Sequence, residues 1–190
     1  MADGTNTVWL LTRAAGITAY LLLWLSLTLG IGVTARLFEP EVKRLNVWDM
    51  HQFVSLFSLL FVGLHVFILL ADQYVTFSLA EVLVPFHSHY QPVWVGLGQV
   101  AFYLLLITTA SFYVRGLIGW RAWRTLHYAT FALYLFALAH GITNGTDTRQ
   151  LWMLIVYCTT GLFTAILLGT RLGQVRQRAQ EAGTAARRAA

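Results

Sequence analysis

The sequence predicts an all-α integral membrane protein, a helical bundle of about five transmembrane helices. Three observations carry that prediction. Of 190 residues, 57% are hydrophobic and only 11% charged, against about 25% charged in soluble domains. The apolar residues gather into five stretches of spanning length, and nearly all the basic residues fall on one side of those stretches.

A transmembrane helix needs about 20 predominantly apolar residues. The stretches that meet this are Val8 to Val33, Trp48 to Ala71, Val93 to Val114, Trp123 to Ile142 and Leu151 to Gly169. The first reads as a retained helix, because Met1 to Thr7 carries no positive charge and the apolar run is too long for a cleavable signal. An odd number of spans puts the termini on opposite faces. Residues 1–170 form the membrane domain and 171–190 a basic tail, Ala- and Gln-rich, that continues helix five or lies against anionic headgroups. The bundle uses almost the whole chain, which leaves no room for a flavin or nucleotide domain. A reductant must therefore come from another molecule.

Charge sets orientation. All thirteen Lys and Arg residues except Arg13 and Arg149 lie on one side of the five stretches. By the positive-inside rule that side is cytoplasmic, as in a bacterial inner membrane, with the N-terminus outside and the C-terminus inside. The net charge of +5 thus reports topology, not nucleic-acid binding.

Four histidines lie inside the apolar stretches: His51 and His65 in the second, 14 residues apart, and His127 and His140 in the fourth, 13 apart. At 1.5 Å rise per residue each pair spans roughly 20 Å, so one member lies near each face of a hydrocarbon core about 30 Å thick. Helices two and four both run outward, which levels His51 with His127 and His65 with His140. An ionisable group in lipid is costly without a partner or a metal. Paired imidazoles at two depths suggest two stacked b haems, an inner one on His51 and His127 and an outer one on His65 and His140.

Azimuth is a stricter test. Fourteen steps of 100° return to within about 40° of the starting face, whereas thirteen end about 140° away. Helix four is therefore distorted, tilted, or uses two faces. Haem propionates are anions and attract cations: Arg36, Arg121 and Arg124 stand at the inner end, Arg13 inside helix one at the outer end. Gly16, Gly63, Gly96 and Gly98 let a porphyrin approach the backbone or serve plain helix packing. Phe57, Phe61, Phe131 and Tyr134 lie between the two levels, where core packing is their first role. The run from Phe77 to Val84, stopped by Pro85, is too short to span and lies on the outer interface or caps the outer haem, with Glu81 facing water. His87 and His89 read as exposed loop residues without a carboxylate companion, and Cys158 as a small packing residue.

The segment Trp120-Arg121-Ala122-Trp123-Arg124-Thr125-Leu126-His127, with Ala139-His140-Gly141 and the Gly145-Thr146-Asp147 loop, resembles bacterial ferric reductase-like transmembrane domains. That superfamily includes NADPH oxidases and yeast ferric reductases, and the resemblance runs from about Arg13 to Arg171. It implies that the four histidines ligate two b haems carrying electrons outward, and it places Arg13 near the outer haem. Oxidase-type members append a flavin and NADPH domain and have a further helix before the one starting here near Val8. The haem-binding membrane subunit of the periplasmic methionine sulfoxide reductase system resembles this chain more in lacking such a domain, and implies a separate flavoprotein or quinol as donor.

Three readings result: an oxidoreductase component that passes electrons through two haems to an outer acceptor (ferric iron, oxygen or a partner protein), a quinol-linked cytochrome b subunit, or a non-redox structural or transport bundle. The near absence of polar residues along the helices, apart from the histidines, weighs against transport.

Overall fold

The computed structural model describes residues 2–35, 44–72 and 75–189. Arg36, one of the expected inner cations, lies outside the described residues. Those residues form helices and no strands: α1 (Ala2–Ala35), α2 (Arg44–Leu69), α3 (Leu79–Leu83), α4 (Pro92–Tyr113), α5 (Arg115–Ile118), α6 (Trp120–His127), α7 (Ala129–Asn144) and α8 (Leu151–Ala189). Five stretches are long and apolar enough to cross a membrane, Thr7–Ala35, Leu45–Leu69, Pro92–Tyr113, Trp120–Asn144 and Leu151–Ala185. They coincide with the five expected from composition. The basic tail is a direct continuation of α8, with no break between membrane segment and tail.

Lipid is the solvent these helices require. The α2 span has a mean hydropathy of 2.1, yet only 11% of that window is buried inside the protein. Phe53, Leu60 and Phe67 all face outward. A surface that apolar is stable against hydrocarbon and not against water.

Two antiparallel pairs make the bundle. His51 of α2 meets Ser26 of α1 while His65 meets Thr12, which runs α2 back along α1. His140 of α7 meets Trp94 of α4 while Trp123 of α6 meets Phe112, which does the same for the second pair. α2 carries His51 and His65, α6 carries His127 and α7 carries His140; α2 shares few contacts with α6 or α7. α1 joins the pairs and also holds α8, through a core of Tyr20, Leu27, Ile31, Tyr134, Met153 and Tyr157.

The fourth span is broken. α6 ends at His127, and Tyr128 (φ −64, ψ −17) separates it from α7. The Tyr128 N–H reaches the carbonyl of Thr125 and the Phe131 N–H that of Tyr128, both three residues back. Three-residue spacing turns about 120° per residue instead of 100°, so the tightened turn restores part of the rotation that the 13-residue spacing lacks. Of the three explanations left open by the sequence, local distortion is the one observed.

One end of the bundle is capped. Residues 75–91 and the loop after α7 cover it, and α3 is opened by a capping box in which Ser78 and Glu81 satisfy each other's backbone N–H,. Gln99 of α4 staples the cap down: its Nε2 donates to the carbonyls of Glu81 (2.6 Å) and Val82 (2.8 Å), and its Oε1 accepts from Phe86 N–H (3.3 Å). Phe86 holds φ at +65, a strained value for a bulky residue. Its ring packs against Gly96, where an added Cβ would sit 2.2 Å from it. The opposite, basic end carries Arg115, Arg121 and Arg124, with Arg115 stacked over Phe112 at 3.8 Å.

Candidate functional site

At the capped end, His65 and His140 line one cavity of about 280 Å³, together with Arg13, Gln99, Asp147 and Tyr157. The His65 Nδ1 donates to the Thr12 carbonyl at 2.9 Å and the His140 Nδ1 to the Trp94 carbonyl at 2.9 Å. A carbonyl oxygen only accepts, so each Nδ1 carries the proton and each Nε2 keeps its lone pair. Asn144 also meets His140 Nδ1, at 3.2 Å.

Glycine makes these bonds geometrically attainable. An added Cβ at Gly16 would lie 3.0 Å from the His65 ring, and one at Gly98 would lie 2.6 Å from His140. These two glycines thus admit imidazoles to the neighbouring backbone. Gly30 does the same for His51 (3.2 Å), whereas Gly96 serves Phe86 and Gly63 faces open space.

At the basic end the His51 and His127 rings stand 6.1 Å apart, centroid to centroid, at 86°. His51 Nδ1 donates to the Ser26 carbonyl at 2.9 Å, and a small hydroxyl network of Ser26 and Ser55 surrounds it. His127 differs: its Nδ1 is buried without a hydrogen-bond partner, and its ring stacks on Trp123 one turn back, at 5.1 Å and 25°.

Between the levels lies a tyrosine pair. The Tyr20 and Tyr134 rings stack at 6.2 Å with hydroxyls 3.4 Å apart, and the Tyr20 hydroxyl bonds Thr160 at 2.5 Å. Tyr134 therefore fills the gap as expected of a core residue, joined by Tyr20. Phe57 does not, since it stays 39% exposed and stacks on Phe53.

No protein-family model, curated protein or solved structure matches this chain.

The geometry alone therefore speaks for the remaining residues. Arg13 is tied to Asp147, its Nε donating to Oδ2 at 2.8 Å and its Nη2 to Oδ1. Asp147 is buried and lies 134 positions away in sequence. Arg121 and Arg124 are exposed on α6 at the His127 end, with Arg124 Nε donating to the Tyr128 hydroxyl at 3.2 Å.

The cap corrects two expectations. Glu81 does not simply face water, because its carboxylate accepts from the Ser78 N–H and hydroxyl and from the His89 N–H and Nδ1. Those bonds, the Ser78 backbone first and the His89 ring next, hold its carboxyl well below the usual range,. His89, exposed as expected, does have a carboxylate companion in Glu81. Nothing in either residue type announced the pairing; the capping-box spacing from Ser78 to Glu81 was the available signal. Among the described residues no three His, Cys, Asp or Glu side chains converge as a metal site.

Proposed function

We propose that this chain is a transmembrane electron conduit that holds two b haems, one between His51 and His127 and one between His65 and His140. The observation that carries the reading is the matched pairing: His51 of α2 stands beside His127 of α6 at the basic end, and His65 of α2 lines one cavity with His140 of α7 at the capped end. The spacing at the basic end fits the group. His51 and His127, with ring centroids 6.1 Å apart, would be near enough to hold one metal ion between them at metal–nitrogen bonds of about 2 Å.

A bis-histidine b haem supplies one-electron transfer with no free coordination position. The chain's own residues prepare for it. The carbonyls of Thr12, Ser26 and Trp94 fix the Nδ1 proton and the ring orientation of three histidines, the outer arrangement that metal-ligating histidines require. Arg121 and Arg124 offer positive charge at the basic end, and Arg13, already balanced by Asp147, marks the capped end.

In this reading the basic end faces the cytoplasm of a bacterial inner membrane and the capped end the outside. A separate flavoprotein or quinol delivers electrons, and an outer acceptor takes them. The likeness of residues 120–127 and 139–147 to ferric reductase-like domains supports the same direction.

The test is haem content with reduced-minus-oxidised spectra on the purified protein and on His65→Ala and His140→Ala. About two b haems per chain, falling to about one in each variant, is the expected result. A folded preparation made with ample haem supply that binds none would overturn the reading and leave a structural or transport bundle.

A further inference from the structure

We propose, on the footing of the two-haem reading, that the basic-end site is the ligand-exchangeable one, with His127 the histidine that detaches so that a small neutral diatomic molecule takes its place. Four observations single out His127. Its Nδ1 is buried with no partner, whereas His51, His65 and His140 each donate to a backbone carbonyl at 2.9 Å. Glycines 30, 16 and 98 admit those three rings to a neighbouring helix, and among the glycines whose surroundings are described none is placed against His127. It is the last residue of a short helix, directly before the break at Tyr128. Its ring rests on Trp123 of that same helix, whose Nε1 is also buried without a partner.

A hydrogen bond from Nδ1 to an acceptor orients a ligating histidine and raises the basicity of its Nε2. Without one, His127 is the weaker donor of the four. Without an anchor on another helix, it is also the one whose motion costs the least rearrangement: α6 can shift at its break while α2 and α1 stay in register. The exchange breaks the bond from His127 Nε2 to the metal and forms one from the incoming molecule's lone pair. No electron or proton is transferred. The imidazole leaves together with Trp123, on which it stacks, as α6 shifts.

Carbon monoxide added to the dithionite-reduced full-length protein is the probe. The first reading is haem content; about two per chain upholds the conduit, and none overturns conduit and exchange together. With two haems present, binding of about one CO per chain is expected, and it should persist in His140→Ala, or in His65→Ala if the first variant does not fold. No CO binding, two per chain, or loss of CO binding together with the capped-end haem would overturn the exchange while leaving the conduit standing. A second contrast needs no gas: His127→Ala should retain about two haems through His51, whereas His51→Ala should fall to about one. Equal loss in both would also overturn the proposal.

Discussion

The capped end and the basic end hold the same residue pair in different ways. At the capped end both imidazoles are locked to the backbone of a neighbouring helix, a glycine receives each ring, and a part-buried ion pair lines the cavity beside them. At the basic end only His51 is locked, and His127 hangs on a helix of eight residues. A sequence with two nearly equal histidine spacings thus builds two unequal sites. What separates them is the set of contacts behind the rings, which decides how rigidly each imidazole is held and which is spread over four helices.

The largest test of that contrast is Asp147→Ala. Removing the carboxylate leaves Arg13 charged and largely buried, which should cost about 3 kcal/mol, the low end for a buried pair because Arg13 keeps 32% of its side-chain exposure,. Thermal unfolding in detergent measures it. Replacing both residues, as Arg13→Met with Asp147→Leu, should recover most of the loss. If the double variant also retains its capped-end haem, Arg13 serves the fold and not the cofactor; loss of that haem alone would make Arg13 a cofactor contact.

Glycine substitutions rank the two ends directly. Gly98→Ala places a Cβ 2.6 Å from the His140 ring and should cost about 2 kcal/mol by overpacking; on the two-haem proposal it should also lose the capped-end haem. Gly16→Ala (3.0 Å) and Gly30→Ala (3.2 Å) should follow in decreasing order, and Gly63→Ala, which meets nothing, should match the parent. Haem content and melting temperature, read together, give the series. A loss in Gly63→Ala as large as in Gly98→Ala would contradict the cradle.

The spans were legible because the bilayer imposes length and apolarity on every crossing helix, and the histidine levels followed from helix rise. The break at Tyr128 was legible only as a mismatch: a spacing of 13 demands a distortion, but no Pro or Gly marks where it falls. Gly30 went unnoticed while Gly63 was singled out, since a glycine in a helix does not reveal which neighbour presses on it. The partner of Arg13 was equally hidden, because nothing local relates residue 13 to residue 147. Gln99 is one polar residue in an apolar helix, and its function as a staple exists only once the cap has folded over it.

That staple gives the next prediction. Gln99→Leu removes three hydrogen bonds between α4 and the cap and leaves the Glu81 and Val82 carbonyls without their donor. A local loss of about 1–2 kcal/mol is expected, visible as faster hydrogen exchange over residues 79–89 with the basic end unchanged. Equal acceleration at both ends would mean that the cap is not an independent unit.

The smallest expected effect is the pH dependence of the same cap. Glu81 has a carboxyl depressed below its ordinary value of 4.5, first by the Ser78 backbone bond and then by His89. A group depressed in the folded state contributes stability that is fully present above its unfolded value and is lost as pH falls through the depressed one. Protection of the cap amides should therefore hold level from pH 7 down to about 5 and decline only below that, as the carboxylate gains its proton. In Glu81→Gln the neutral amide cannot take part in this titration, so its cap protection should be lower at neutral pH and flat through the acid range. The basic end has no such exposed carboxylate tie among its described contacts, and its exchange should not follow the same curve. A decline there in step with the cap would mean that acid loosens the whole bundle and that Glu81 reports on it without governing it.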